Sequence, residues 1–514
     1  MCFSKRLLNE ISNINSKYDM IAYCYWYLLN TVENQIVFLG EYIEINNDTK
    51  KDNPNFGMLS QFAVNIKDFF AKHYALDIYE KTKSEMLDLI ISAEDKLRCF
   101  GDESMNYATI PFFILKGLDL YFQDYTYETY GKSPMNTFCS DFCLVYIHND
   151  DSIFDEIAHK KDYAKKIRKT EIRNYFKYII FFEMCELPLN YGVPQLATLQ
   201  KEKTALKGIL ETKKLKMALI PVLCEKWFDF NITRGALFEI EYHKKQLKDV
   251  GDRVILLLKW AIECKANIIV FPEYVCSEEI QRKIHDTLYK LSNDEPEKLK
   301  DLLFVVAGTS WTEDSNNVCY IYDEEGEILG KVYKYSAYDN YKDGIRYVER
   351  LQNPGKEITL VKVPGIGVFQ IEICRNVSEN EFCLKLAKVF NIQFLLITAW
   401  SSSVNNGFKK QIDAIVSSNH RTCTAMSNCC AAFSDCKEFR TQIGLVAAPQ
   451  KNNTLIEANC QFVEREKQQC IASCDEGCIF EIDFDFCGEE QNDVVIRREF
   501  KKLEIGTRNM YNKS

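Results

Sequence analysis

Ile268-Ile269-Val270-Phe271-Pro272-Glu273 reads as a buried β-strand that stops abruptly. Its apolar residues follow one another without alternation, as in a strand covered on both faces. Pro272 ends the ladder because it has no N–H to give, and Glu273 is left at the strand's carboxyl end. In layered α/β folds that edge is where reactive groups collect. Two other stretches repeat the geometry. Gly330-Lys331-Val332-Tyr333-Lys334 is a strand after a hairpin that finishes on a lysine, and Val368-Phe369-Gln370-Ile371-Glu372-Ile373-Cys374-Arg375 is a strand that delivers a cysteine into a turn. Glu, Lys and Cys, in that order and each at a strand end, form one set.

Outward from these stretches, short apolar runs alternate with longer amphipathic segments. Strands are predicted over 217–223, 267–271, 303–309, 394–400, 422–427, 443–447 and 478–486, and helices over 235–265, 277–291, 379–390 and 407–419. Glu324-Glu325-Gly326-Glu327, between 318–323 and 328–334, marks one hairpin, and Pro364-Gly365-Ile366-Gly367, between 358–363 and 368–374, marks another. Strand pairs mixed with helices imply two sheets covered by helices, a layered α/β sandwich.

The amino-terminal part differs. It is poor in glycine and proline, and the segments 20–37 and 65–97 recur at helical spacing, so residues 1–204 are predicted to form a mainly α-helical region. A Lys/Glu-rich stretch over 200–216 places a boundary near 205, with a second domain over 205–490 and a carboxyl-terminal tail over 491–514. The 514 residues suffice for several domains, and 64 basic against 74 acidic side chains leave a net charge of −10. Such a surface repels phosphate backbones as a whole, which disfavours a general nucleic-acid binder. Apolar runs such as 178–182 and 254–258 are broken by charge well short of a membrane span. The 21 cysteines are odd in number and scattered, and no secretory segment follows the opening Met-Cys-Phe-Ser-Lys-Arg; both features predict free thiols and a cytoplasmic setting.

The strand-end residues resemble the nitrilase, or carbon–nitrogen hydrolase, superfamily, whose hallmark is a Glu-Lys-Cys triad. The resemblance covers roughly 215–487 and none of the first 200 residues. Ile268 to Glu273 is similar to the family's apolar-Phe-Pro-Glu segment, with Glu273 as base. Asp323 to Lys334 is similar to its hairpin ending in the catalytic lysine, which selects Lys334 over Lys331. Ile371-Glu372-Ile373-Cys374 resembles the strand that presents the nucleophile, and Glu349, shortly before Pro354-Gly355, takes the place of a second active-site glutamate. Ile397-Thr398-Ala399-Trp400 resembles the segment lining the substrate pocket. The implied fold is a four-layer αββα sandwich. The implied activity is hydrolysis of a small-molecule amide or nitrile, with no metal or organic cofactor. The family also implies dimers formed through helices on the sandwich face, and helix 379–390 carries Phe382, Leu386, Val389 and Phe390 at helical spacing. Many members follow the cysteine with an aromatic residue and Asp; Arg375 and Asn376 stand there in this chain, so a family specificity does not transfer.

The chemistry needs these residue types. A thiol with a pKa near 8.5 is only a few per cent thiolate at neutral pH, so Cys374 requires a base such as Glu273 as it attacks. Lys334 and the backbone N–H of Arg375 would bind the developing oxyanion, while Glu349 would hold the ammonium charged and oriented. Taken singly, each has a plainer role: a solvated strand-end Glu, a surface Lys, a core thiol, and Trp400 as core. Their joint order favours catalysis.

Other readings carry less. His420 would serve Cys374 as a papain-like base, but the local signature of that family is missing. Cys470-x3-Cys474-x3-Cys478 fits neither the zinc nor the ferredoxin spacing. Phe142 to Asp151 is a strand-like run ending in two carboxylates, with a faint resemblance to the Asp-Asp hairpin of polymerases, although Asp-Asp after a strand is ordinarily a turn. The alternative to an enzyme is a catalytically silent domain that senses a ligand or drives assembly for the amino-terminal half.

Overall fold

A computed structural model of the chain describes residues 17–31, 54–73, 80–98, 103–129, 137–139, 143–147, 179–183, 194–199, 203–222, 228–232, 237–242, 247–311, 316–342, 345–351, 358–378, 381–390, 392–401, 404–419, 422–429, 440–452, 455–466, 480–485 and 495–497, with Leu7 and Phe176. They fall into two compact units, one holding the described residues up to Glu186 and the other those from Leu187 on.

The first unit contains the helices Lys17–Thr31, Pro54–Lys72, Glu80–Arg98 and Glu103–Thr129 and an antiparallel sheet of Thr137–Cys139, Cys143–Ile147 and Ile179–Glu183. Tyr25, Tyr27, Phe112 and Phe122 are the largest side chains in its core. Helices Pro54–Lys72 and Glu103–Thr129 approach closely at Gly117, where a Cβ would lie 2.6 Å from the Ala63 carbonyl oxygen and from the Ile66 side chain. The backbone N–H of Ile179 donates to buried Asp119, which ties the sheet to the longest helix. The strand read at 142–148 is present as Cys143–Ile147, whereas Asp150 and Asp151 lie outside the described residues.

The second unit is built on two seven-stranded sheets. One runs Ile328–Tyr333, Asn317–Asp323, Phe304–Trp311, Ile268–Val270, Lys214–Leu219, Phe480–Asp485, Val495–Arg497. The other runs Leu455–Glu466, Arg440–Asn452, Cys423–Asn428, Phe394–Ala399, Gly367–Ile373, Ile358–Val363, Pro194–Thr198. Central strands such as Phe394–Ala399 are buried at every residue, as parallel strands covered on both faces must be. Phe304 of the first sheet meets Phe369 of the second at 5.4 Å, and Phe394 of the second meets Phe484 of the first at 5.3 Å, so the sheets pack face to face. The outer face of the first sheet, with Ile269, Phe271, Val305 and Ala307, is covered by helices Leu247–Glu263 and Glu278–Asp294. Helices Glu381–Val389 and Val404–Asn419 cover the second. The architecture is α/β, a four-layer αββα sandwich preceded by a mainly helical region.

Both expected hairpins form, and Asp323 closes the first by accepting the N–H groups of Glu325 and Glu327. Three expectations shift. The second unit begins earlier than 205, because Pro194–Thr198 pairs in parallel with Ile358–Val363; it also extends past 490, because Val495–Arg497 pairs with Phe480–Asp485. The predicted helix over 235–265 opens instead as the strand Leu237–Tyr242, in which Phe238, Ile240 and Tyr242 alternate with Glu239 and Glu241. That strand joins Phe228–Ile232, Ile345–Glu349 and Asp339–Lys342 in a separate four-stranded sheet, and the helix starts only at Leu247. Finally, Phe382, Leu386, Val389 and Phe390 are all buried inside the unit, so they leave no wet apolar face for a second copy.

Gly308 lies against the Pro272–Glu273 segment at the strand ends of the first sheet. It has φ +76° at an irregularity in the pairing with Asn317–Asp323, and a Cβ there would lie 2.3 Å from the Pro272 carbonyl oxygen. Gly308→Ala is expected to destabilise the unit by about 2 kcal/mol or more, since both the backbone conformation and the contact with the Pro272–Glu273 segment resist a side chain. The midpoint of urea unfolding checks this, and an unchanged midpoint contradicts it.

Candidate active site

Four strand ends converge in the second unit. Glu273 follows Ile268–Val270, Lys334 directly follows Ile328–Tyr333, Cys374 directly follows Gly367–Ile373, and Glu349 closes Ile345–Glu349. The Lys334 ammonium lies 2.7 Å from Glu273 Oε1 and 2.7 Å from Glu349 Oε2. All three groups are at most 2% exposed, so water does not screen them and they must satisfy one another. The thiol of Cys374, 5% exposed, donates to the Trp400 carbonyl oxygen at 3.6 Å, and the N–H of the same Trp400 reaches Glu273.

The cysteine is held on an elbow. It has φ +42°, a region that a non-glycine residue adopts only when its surroundings impose it. Here its N–H donates to the Thr398 carbonyl at 2.8 Å, and its own carbonyl accepts the Val377 N–H at 3.1 Å as the chain turns into the short helix Arg375–Ser378.

The remaining lone pairs of the carboxylates are filled by neutral donors. Asn317 donates through Nδ2 to Glu273 at 2.9 Å and to Glu349 at 3.2 Å. The Trp400 N–H donates to Glu273 Oε2 at 3.1 Å, the Tyr274 hydroxyl to Glu349 Oε1 at 2.6 Å, and the Tyr338 N–H to Glu349 Oε2 at 2.7 Å. The Tyr274 ring packs edge-on against Trp400 and lies 5.8 Å from the Lys334 ammonium.

Protonation follows from this packing. Burial pushes the Glu273 carboxyl above its ordinary range, with Lys334 opposing the rise and Glu349 reinforcing it. Burial works against the charge on Lys334, but Glu273 and Glu349 outweigh it and keep the ammonium firmly protonated. Burial and the Glu273 charge push the Cys374 thiol well above its usual range. The resting arrangement is a neutral thiol beside a carboxylate of raised basicity, with one cation shared by two carboxylates. Such a carboxylate takes up a proton readily when the sulfur attacks an electrophile.

The residues expected from the sequence are therefore brought together at Glu273, Lys334, Cys374 and Glu349. Trp400 contacts them through its backbone, its ring lying against Tyr274. The Arg375 guanidinium donates to the Asp339 carbonyl at 2.9 Å and lies over the Tyr338 ring. His420 and Cys470, Cys474 and Cys478 lie outside the described residues. Among the described residues no cluster of three or more His, Cys, Asp or Glu is arranged to hold a metal, and no helix is long and apolar enough to cross a membrane.

Asn317 and Tyr274 were not foreseen. Asn317 was hidden by an irregularity in the hairpin: counted from Tyr322 opposite Ile328 it would face Tyr333, and the register shift between Ile321 and Tyr322 sets Val318 on Tyr333 and Asn317 opposite Lys334. Tyr274 had no signal beyond its place after Glu273.

No protein-family model matches the chain, and no curated protein matches it. Among solved structures, the chain is similar to an amidase from Nesterenkonia sp., at 13% identity over 49% of this chain and 90% of that one with a TM-score of 0.29. It is also similar to Saccharomyces cerevisiae Nit3, a member of branch 10 of the nitrilase superfamily, at 13% identity over 50% of this chain and 92% of that one with a TM-score of 0.31. A third similar structure is the C. elegans NitFhit protein, at 14% identity over 51% of this chain and 63% of that one with a TM-score of 0.30.

Proposed function

We propose that the second unit is a thiol hydrolase of a non-peptide carbon–nitrogen bond, an amide or a nitrile. The observation that carries this reading is the buried cluster in which Lys334 lies 2.7 Å from both Glu273 and Glu349 while the Trp400 backbone meets Glu273 through its N–H and the Cys374 thiol through its carbonyl. For an amide, Cys374 Sγ bonds to the carbonyl carbon as its proton passes to Glu273. The charge developing on the carbonyl oxygen is met by the Lys334 ammonium and the backbone N–H of Arg375. Glu273 returns the proton to the departing amine, the carbon–nitrogen bond breaks, and a thioester on Cys374 remains. Glu273 then takes a proton from water as the water oxygen attacks the thioester, the carbon–sulfur bond breaks to free the acid, and the proton passes from Glu273 to the departing Cys374 sulfur. Glu349, Tyr274 and Asn317 keep Lys334 and Glu273 in register through this cycle. The slight exposure of Cys374 supports a small substrate over a polymeric one.

The test is mass spectrometry of the intact chain after incubation with a panel of small amides and nitriles, followed by peptide mapping. An acyl adduct on Cys374 that disappears with time is the expected result. Absence of any adduct across the panel, with Cys374 still open to an alkylating reagent, would assign the unit to the silent sensing or assembly role instead.

A further inference from the structure

A second buried carboxyl lies two residues before the nucleophile and takes no part in the mechanism above. Glu372 is 1% exposed on strand Gly367–Ile373. Its Oε1 accepts from Gln370 Nε2 at 2.7 Å, and its Oε2 accepts from Asn376 Nδ2 at 3.2 Å and from the Tyr335 hydroxyl at 3.1 Å. Asn376 extends the cluster: its Oδ1 accepts the backbone N–H groups of Tyr335 and Ser336, each at 3.0 Å, and its Nδ2 also lies 3.4 Å from the Tyr333 carbonyl oxygen. These are the residues on either side of Lys334, whose own N–H donates to the Asn317 carbonyl at 2.8 Å.

We propose that Glu372 is a positioning residue. By gathering Gln370, Asn376 and the Tyr335 hydroxyl, it locks the segment that carries Lys334 to the elbow that carries Cys374. This inference rests on the reading of Lys334 and Cys374 as parts of one catalytic site. Its physical content is a matter of donors and acceptors. An ionised Glu372 is acceptor-only and suits three donors converging on two oxygens; a protonated one brings a donor of its own, and one of the three contacts must be given up or reversed. The Lys334 charge favours the thiolate of Cys374, so loosening Lys334 makes that thiolate less accessible.

The surroundings place this change near neutrality. The titratable groups facing Glu372 among the described residues are Tyr335, from the segment after Lys334, and Cys383, from helix Glu381–Val389. No cation is among its hydrogen-bond partners. Burial raises the Glu372 carboxyl to about 7, against the pull of Gln370, Asn376 and Tyr335. Because the folded value is raised, ionisation weakens the fold as pH climbs from the ordinary carboxylate range through about 7. A glutamine would avoid that cost but would set a donor of its own against the three that converge on Glu372.

The test uses the full chain and does not need the substrate. Alkylation of Cys374 by iodoacetamide is followed by peptide-level mass spectrometry from about pH 5.5 to about pH 9 in the unaltered protein and in Glu372→Gln, which stands for the protonated form. The ratio of the two rates is expected to be about one at the acid end and to rise through a step near neutrality to on the order of tenfold, the worth of one hydrogen bond to a charged group. A ratio that is flat with pH, whether at one or at a constant deficit, means a purely structural role and overturns the proposal. Should Glu372→Gln not fold, Tyr335→Phe decides by removing a single hydroxyl: the same step at about threefold supports the lock, and a flat ratio overturns it. Glu273→Gln in the same assay separates this proposal from the reading beneath it. If Glu273→Gln leaves Cys374 alkylation unchanged, the catalytic reading falls and the proposal with it; if it shifts alkylation in either direction, by loss of the base or by relief of its charge on the thiol, while Glu372→Gln gives a flat ratio, only the proposal falls.

Discussion

Lys334→Met is expected to cost the second unit about 3–5 kcal/mol, read as a fall of about 4–7 °C in its thermal unfolding midpoint. Methionine fills nearly the same volume, so the loss measures charge rather than a cavity. With the ammonium gone, Glu273 and Glu349 remain at no more than 2% exposure, joined by Asn317, which donates to both. Two carboxylates in that position cannot both stay ionised. The deficit should therefore shrink as pH falls, because protonation relieves the carboxylates stranded in the variant. Glu349→Gln in the Lys334→Met background should recover part of the loss, since it removes one of the stranded charges. A drop under about 1 kcal/mol at neutral pH, typical of solvent-exposed pairs, would mean that the three groups are not buried together.

Cys374→Ala and Glu273→Gln should each reduce hydrolysis of any amide that acylates the chain by at least about a thousandfold. The double variant should be little worse than either alone, because nucleophile and base act as one unit. The two differ in what they leave behind. Cys374→Ala removes a sulfur whose hydrogen bond is a 3.6 Å contact with the Trp400 carbonyl, so stability should change by less than about 1 kcal/mol. Glu273→Gln breaks a buried ion pair with Lys334 and should lower stability as well as rate. His420→Ala should leave the rate within about threefold; a loss matching that of Cys374→Ala, with Lys334→Met still active, would replace the Glu-Lys-Cys reading by a papain-like one.

The sequence by itself determined the layered α/β character of the second unit and the strand ends at which Glu273, Lys334 and Cys374 stand. These were legible because each signal is local: an unbroken apolar run at 268–271, an alternating run at 368–373, a proline that stops one strand, and a turn signal at 324–327 that folds another back. Where the local signal was ambiguous, tertiary pairing decided. Residues 237–242 alternate in the manner of a strand beside a genuinely helical stretch, and what makes them a strand is pairing with Phe228–Ile232 and, in parallel, with Ile345–Glu349 far along the chain. Pro194–Thr198 was missed for the same reason, since its partner Ile358–Val363 lies more than a hundred residues on and nothing nearby marks the pairing. The polar groups that organise the site were hidden too. Phe369, Ile371 and Ile373 alternate with Gln370 and Glu372, a pattern that reads as a strand with one wet face, so nothing local announces that Glu372 is buried, and Asn376 does not disclose that it holds both sides of Lys334. Reactive residues at strand ends follow from chain-local patterning, whereas the partners that set their charges come from segments that only the folded sheets bring within hydrogen-bonding distance, which is why the structure alone decides them.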